Sequence, residues 1–594
     1  MSNKLNKVKS GKIKVVILTV IFILTVVSVA EAQVIHDPYS SIYKDIDIWT
    51  VQGYITKTLP MIRPYPLQVL DEFLADVIEN GNDEAAQKAQ RYRDALLIGN
   101  GPRNSGTALY ANQTETGGSV IHAGVTGSIE ALNDDLTVLG APFVDGTLKL
   151  KDWITGSFSM HVYASTRTPD SGFNVPETYS PYPDMMKDSS EIGPFNILQN
   201  WNSSLTIGTS EIYLQSGLMR TSVGPFYDNG IVVGPQAPKA GHFTIAYRQP
   251  KWSFEKIWLE LTASDTIGEE RFSGKHLVSH YFNFRPVPAL EFAFFETMVF
   301  GPNIEPMYLI PFNQFFAGGA LSDFGGNSFM GLLVRWFCVP DLQIMAQVYV
   351  DDLHFNDLIR FKFNTKYEVA GEIGFLWAPK NGPIKSLSLD YTIVTPYTYT
   401  HMYSLDSQTY DSRYPSQSNY TGPQANYQDY SHAGKNLGPN LNPNSDRVNL
   451  RASWKALYNI DLGFIAYFTR HGNASENRIK EGKMDEKYHK GDIFDDGNND
   501  GKFSPGSIAP DESADYIGED RDWDNNYSQI RFLTQSVIES KLAAGITLSW
   551  YIPTKFGEIT FNAEYIAEYG WNRGLFKGND SLLHYWAVGG TFRF

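Results

Sequence analysis

From about Gly118 to the last residue, apolar and polar side chains alternate in run after run. The segment ITFNAEYIAEY, 559–569, sets Ile559, Phe561, Ala563, Tyr565, Ala567 and Tyr569 on one face and Thr560, Asn562, Glu564 and Glu568 on the other. In 342–351, Leu342, Ile344, Ala346, Val348 and Val350 alternate with Gln343, Gln347 and Asp351. In 157–165, Phe158, Met160, Val162 and Ala164 alternate with Ser157, Ser159, His161 and Ser165. A period of two is the signature of a strand. Eighteen such segments are predicted, near 119–132, 141–151, 155–166, 203–208, 211–222, 241–249, 252–263, 274–285, 289–300, 327–338, 341–352, 363–378, 384–399, 446–457, 459–471, 536–551, 556–569 and 583–594.

Alternation alone fits a sandwich, with one face in a core, or a membrane barrel, with one face in lipid. The connections separate the two. Tight turns (Lys151–Trp153, 208–209, QPK, RPVP, VPD, APKNGP, YNI and IPTKFG) alternate with moderate or long ones at 133–140, 167–202, 223–240, 264–273, 301–326, 353–362, 400–445, 472–535 and 570–582. Short turns at one end and long loops at the other are the habit of an outer-membrane barrel. The expected fold is therefore an all-β transmembrane barrel of about eighteen antiparallel strands. A barrel in lipid leaves no open edge, so its last strand must pair to its end. The sequence runs HYWAVGGTFRF to Phe594, with Phe592 and Phe594 on one face. Gly589, Phe592 and Phe594 also resemble the C-terminal signal that the barrel-assembly machinery reads, with Ala587 a small departure. An even strand number puts both barrel ends in the periplasm and the long loops outside.

The N-terminal part follows a different period. Leu67, Leu70, Leu74, Val77 and Ile78 share one helical face, after Pro64 and Pro66 and before Gly81. Residues 83–97 read as a second helix and 42–55 as a third, ending near Gly53. These make a small helical periplasmic domain, 33–105, ahead of the barrel, 106–594. Residues 1–32 read as a secretory signal peptide: Lys4, Lys7, Lys9, Lys12 and Lys14, an apolar core at 15–29, then Ala30-Glu31-Ala32. Fifteen helical residues reach about 22 Å, short of the ~30 Å hydrocarbon core, so cleavage before Gln33 is expected rather than anchoring.

Losing residues 1–32 removes five lysines and one glutamate and moves the formal net charge from −16 to −20. Phosphate binding needs clustered Lys and Arg, so an acidic chain argues against nucleic acid, which is not an expected partner. The single cysteine, Cys338, excludes an intramolecular disulfide and any multi-cysteine metal site. It reads as a small apolar residue. Aromatic residues, 34 Tyr and 36 Phe among them, suit strands and membrane interfaces.

Little here is catalytic chemistry. Asp496, Asn498 and Asp500 followed by Gly501 match the first half of a calcium loop, whose carboxylates alternate so that a tight turn wraps one ion. The twelfth position is Ser507 rather than Glu; Asp511, Glu512 and the acids Glu519, Asp520, Asp522 and Asp524 are the available substitutes. A solvated acidic loop is the alternative. No cofactor is required. Motifs for an acyl-transfer elbow, a zincin pair or a phosphate loop are missing from the chain. His161 beside Ser157, Ser159 and Ser165 allows a hydrolase centre in the wall, against the plainer reading of a polar lumen lining. Glu564 and Glu568 lie about 13 Å apart along one strand, too far for a glycosidase pair. The loop 402–432 is rich in Tyr, Asn, Asp and Gln, which suits sugars or simple hydration.

Several stretches resemble the Wzi-like capsule-assembly outer-membrane proteins: DIDIWTVQGYI with RPYPLQVLDEFLADV, then MYLIPFNQFF at 307–316, Asn327 in GGNSFMGLLVRW, and LQIMAQVYVDDL with Asp351 and Asp352. The resemblance implies a periplasmic helical piece, an eighteen-stranded barrel in outer-membrane lipid, and a non-enzymatic role in binding or organising surface polysaccharide. The alternative is a porin-like channel for small solutes, and a third reading is a barrel-embedded hydrolase.

Overall fold

The period-two segments close into one antiparallel sheet of eighteen staves. The computed structural model describes residues 37–96, 108–114, 117–168, 184, 186–226, 230–264, 271–315, 326–353, 367–396, 398–399, 427–457, 459–472, 532–534 and 537–594. The staves are β1 (Gly117–Leu132), β2 (Asp135–Leu150), β3 (Ile154–Ser165), β4 (Phe195–Gly208), β5 (Ile212–Met219) and β6 (Ala240–Gln249). They continue as β7 (Trp252–Ser264), β8 (Arg271–Val287), β9 (Leu290–Phe300), β10 (Asn327–Val339), β11 (Leu342–Leu353) and β12 (Tyr367–Trp377). The last six are β13 (Ile384–Val394), β14 (Ser445–Leu457), β15 (Ile460–Gly472), β16 (Ile538–Thr554), β17 (Gly557–Trp571) and β18 (Ser581–Arg593). Each pairs with its chain neighbour, and β18 closes on β1 with Arg593 opposite Gly124 and Tyr585 opposite Leu132. No helix among the described residues is long and apolar enough to cross a membrane; the crossing is made by strands.

The alternation is the physical reason for the fold. On β17, Tyr565 and Tyr569 are exposed outward, while Ile566 and Glu568 are buried inward. On β3, Phe158 faces out, and Ser157, Ser159, His161 and Ser165 are buried. Outward Leu, Phe and Trp meet acyl chains, and the inward face meets the lumen.

Four boundaries differ from the sequence expectation. The connection expected over 133–140 is a two-residue turn, and the β1–β2 ladder runs to Leu132 opposite Asp135. Asn133 takes the left-handed conformation (φ 53°) that asparagine tolerates; the acids beside it hid the alternation. β4 starts at Phe195, not near 203, because Gln199 and Ser203 interrupt its otherwise apolar outer face. β13 ends at Val394 and β5 at Met219, where the chain leaves the wall and turns inward.

The helices are α1 (Ser41–Val51), α2 (Leu67–Asn80) and α3 (Asp83–Leu96). Leu67, Leu70, Phe73, Leu74 and Val77 form the buried stripe of α2. At Gly81 a Cβ would sit 2.5 Å from the Val77 carbonyl, which is why glycine ends the helix. Asn82 caps α3 by accepting the Ala85 N–H at 2.9 Å. The apolar core of the helices continues into the barrel through Tyr213 and Ala246, on the inner faces of β5 and β6. The unit sits against the tight-turn end: Gln52 Nε2 donates to the Pro379 carbonyl at 3.2 Å, Gln68 Nε2 to Gly208 at 3.2 Å, and Thr58 Oγ1 to Pro250 at 3.3 Å.

Candidate functional site: an occupied lumen

The chain between α1 and α2 enters the lumen from the tight-turn end. Charged and polar side chains of the wall grip its backbone. Arg285 Nη1 donates to the Thr56 carbonyl at 2.8 Å, Arg248 Nη2 to Thr58 at 3.3 Å, and Asn283 Nδ2 to Leu59 at 3.3 Å. Glu255, fully buried, accepts the N–H groups of Met61 at 2.9 Å and Ile62 at 3.1 Å. Asn283 also donates to Glu291 at 2.9 Å, and Arg335 pairs with Glu291 at 3.2 Å. Buried polar groups of the wall thus find partners in the neck, and the neck's backbone finds partners in the wall.

From the opposite end, the connection between β5 and β6 descends to meet it. Ser222 and Val223 form a short antiparallel ladder with Arg63 and Ile62, and Gly224 N donates to the Met61 carbonyl at 3.0 Å. Gly224 has φ 96°, a conformation that favours glycine. Residues 231–233 then pack into an apolar core with Ile257, Tyr281, Phe295, Leu333 and Tyr349 of the wall. Two tyrosines from the connection after β13 lock this segment: Tyr399 donates to the Ile231 carbonyl at 2.5 Å and Tyr430 to Val232 at 2.8 Å. On the side of β6–β13, the lumen is therefore filled with packed protein.

Above this core a polar cluster joins the loops. Arg220 pairs with Asp184, and Lys239 Nζ donates to Asn200 Oδ1 and to the Trp201 carbonyl, both at 2.8 Å. Burial pulls the Lys239 ammonium below the ordinary lysine range. His432 accepts the Thr262 N–H at Nδ1 and donates from Nε2 to the Lys239 carbonyl, both at 3.0 Å. Burial pushes its pKa down to about 4. Lys275 pairs with Asp429, tying the same loop to β8.

The wall from β14 round to β4 presents polar groups inward. Glu130 and Glu564 lie half-buried there, and Tyr467 donates to Glu568 at 2.6 Å. Arg573 also pairs with Glu568, at 2.8 Å, so this carboxylate is committed to the wall. His161 stacks between Phe143 (5.1 Å) and Tyr163 (5.5 Å), and its Nδ1 has no hydrogen-bond partner among the described residues. Ser157 is hydrogen-bonded to Ser204 at 2.6 Å and Ser159 to Asn202 at 3.2 Å. The serines and the histidine share a face, as the spacing predicts, without forming a nucleophile–base pair.

At the closing seam, Phe594 exchanges both backbone hydrogen bonds with Ala123, at 2.8 and 2.9 Å. Phe592 and Phe594 face outward with rings 5.7 Å apart. Gly589 faces inward, where a Cβ would lie 2.9 Å from Ser128 Cβ. Cys338 is half-buried and reduced. Asp496, Asn498 and Asp500 lie outside the described residues, as does most of the loop 402–432. Among the described residues no group of His, Cys, Asp and Glu is arranged to hold a metal.

Sequence reasoning missed Glu255, Asn283, Arg285, Tyr399 and Tyr430. No family model matches the sequence, and no curated protein does. The fold has known counterparts. The chain is similar to OprD of Pseudomonas aeruginosa, an outer-membrane protein (8% identity, 82% of this chain and 97% of that one, TM-score 0.40), and to OccD3 of the same organism (10%, 83% and 94%, TM-score 0.41). The similarity to Wzi of Escherichia coli is more extensive, at 12% identity over 95% of this chain and 98% of that one, with a TM-score of 0.51. Wzi is an outer-membrane protein involved in group 1 capsule assembly and a carbohydrate-binding β-barrel, and the resemblance read from 307–316 and the N-terminal helices is matched by the fold.

Proposed function

We propose that this chain is a non-enzymatic outer-membrane barrel that holds or organises surface polysaccharide. In this reading residues 1–32 are removed on export. Residues 33–105 face the periplasm, and the barrel, 106–594, carries polysaccharide on its outer loops. The observation that carries the proposal is the packing of protein into the lumen on the side of β6–β13. A neck from one end and a connection from the other hydrogen-bond to each other and share an apolar core with the wall. A solute pore gains nothing from such packing, whereas a rigid platform for loops does. The fold shared with a carbohydrate-binding barrel supports the same reading. Gly589, Phe592 and Phe594 serve assembly. Calcium at Asp496, Asn498 and Asp500 would stiffen an outer loop.

The channel reading has one observation in its favour, the polar inner face from β14 to β4, with Glu130 and Glu564. Deletion of the gene tests the proposal. Polysaccharide should pass from the cell surface to the culture medium and return to the cells when the gene is restored. Unchanged attachment would overturn it.

A further inference from the structure

We propose that the connection after β9 is a strap seated in the membrane. Residues 301–315 lie on the outer wall of the barrel, cap a polar row there, and present Ile304, Leu309, Ile310 and Phe312 to acyl chains. The inference rests on the barrel's place in a bilayer and is independent of the polysaccharide.

The faces of β7–β9 are fixed by alternation. Glu255 points inward, where it holds Met61 and Ile62, so Lys256 points outward. The register sets Lys256 opposite His280 and His280 opposite Glu296. Three ionisable side chains thus form a row across the outside of the barrel. One step along, Phe282 and Phe294 are exposed in the apolar band. A bare lysine facing hydrocarbon is destabilising, the more so toward mid-bilayer.

The strap closes this row. Lys256 Nζ donates to the Ile310 carbonyl at 2.8 Å, and the Phe315 N–H donates to Glu296 Oε2 at 2.8 Å. His280 Nε2 lies 3.3 Å from the same oxygen. The Phe315 ring stands 4.4 Å from the His280 ring, and the Lys256 ammonium 5.2 Å from its centre. Tyr308 is fully buried between Phe300, at 4.7 Å, and Phe315, at 5.5 Å. Farther down, Phe312 packs on Phe254 at 4.5 Å, two residues from the start of β7. Phe300 is level with His276 and Glu260, so the strap descends six residues of β7, about 20 Å along the strand.

Its chemistry suits hydrocarbon. Turn hydrogen bonds satisfy part of its backbone: Tyr308 N to the Glu305 carbonyl at 3.0 Å, Ile310 N to Met307 at 3.3 Å, and Asn313 N to Ile310 at 3.4 Å. Asn313 Nδ2 adds a bond to the Met307 carbonyl at 3.3 Å. The side chains turned away from the wall include Phe312, 80% exposed, with Ile304, Leu309 and Ile310 more than half exposed. Phe312 joins the lipid-facing wall through Phe254, which lies opposite Phe282, itself opposite Phe294. Residues 301–315 thus contribute lipid contact rather than a sugar-binding surface, and MYLIPFNQF, 307–315, is the sequence of that contact.

Site-directed spin labelling tests this. In a Cys338→Ser background, Phe312→Cys and Ile310→Cys are labelled with a nitroxide in phosphatidylcholine vesicles. Phe294→Cys serves as a wall control and Lys577→Cys, between β17 and β18, as an aqueous control. Heat-modifiable migration confirms that each labelled protein is folded. The two strap sites should match Phe294, with high oxygen collision and nickel-chelate collision several-fold below Lys577. Nickel access equal to Lys577 would put the strap in water. Low access to both reagents would mean that protein, such as a second copy, covers it. Either result overturns the proposal.

Discussion

Glu255 is the residue on which seating of the neck depends most. Its carboxylate sits fully buried on β7 and accepts two backbone N–H groups, from Met61 and Ile62, with Ser253 donating to it at 3.0 Å. Glu255→Ala leaves both N–H groups inside a packed lumen without that acceptor. Each stranded donor costs about 1–3 kcal/mol, so the neck should lose about 2–6 kcal/mol of its hold on the wall. The lower figure raises the open population about 30-fold. Arg285, Arg248 and Asn283 still bind Thr56, Thr58 and Leu59, so the barrel should stay folded. Hydrogen exchange in detergent reads this directly: protection at Met61 and Ile62 should fall about 30-fold or more, while amides in β17 and β18 keep theirs. Glu255→Gln retains one accepting oxygen and should fall between the two. Unchanged exchange at 61–62 in Glu255→Ala would refute the claim that the wall holds the neck through this carboxylate.

Further expectations concern the loops and the seam. His432 is neutral in the fold, with a pKa near 4 against an ordinary 6.5. The unfolded loop therefore binds the proton first, and stability present above pH 6.5 is lost as pH falls toward 4, by up to about 3 kcal/mol. Proteolysis within 427–441 should quicken at pH 4.5 relative to pH 7.5, and His432→Gln should flatten the dependence; a pH-independent rate in the wild type would contradict this. Removing residues 592–594 takes away the Phe594–Ala123 pair and the outward aromatics, and should cut the folded barrel in outer-membrane fractions several-fold by heat-modifiable migration. With Ser507 at the twelfth position, calcium at Asp496, Asn498 and Asp500 should bind no more tightly than about 10⁻⁴–10⁻³ M by terbium competition; micromolar affinity would show that other acids complete the site.

The wall was legible in the sequence because membrane strands must alternate and must close. All eighteen expected segments became staves. The errors had three causes: Gln199 and Ser203 on the outer face hid the start of β4, Asp134 and Asp135 disguised a tight turn, and β5 and β13 stop short where the chain leaves the wall. The occupied lumen was harder to read, because Glu255 or Arg285 on a strand looks the same whether it faces water or a backbone. A trace was present. The run LEFAFFETMVF at 290–300 is apolar on both faces, with Ala293, Phe295 and Val299 inward and Phe292, Phe294 and Met298 outward. A strand that is apolar on both sides has protein or lipid on both sides. The strap after β9 has a similar history: its apolar run was visible, but only the register of Lys256, His280 and Glu296 says which face it covers.

The proposed platform role requires that the protein packed into the lumen block the passage of ions. Conductance of the purified wild-type protein in a planar bilayer tests it most directly. The wild-type protein should give no steady ohmic steps at moderate voltage, with current appearing only when Glu255→Ala or loss of the 220–239 connection loosens the interior. Stable, long-lived conductance from the intact wild-type protein would contradict it and favour a solute channel.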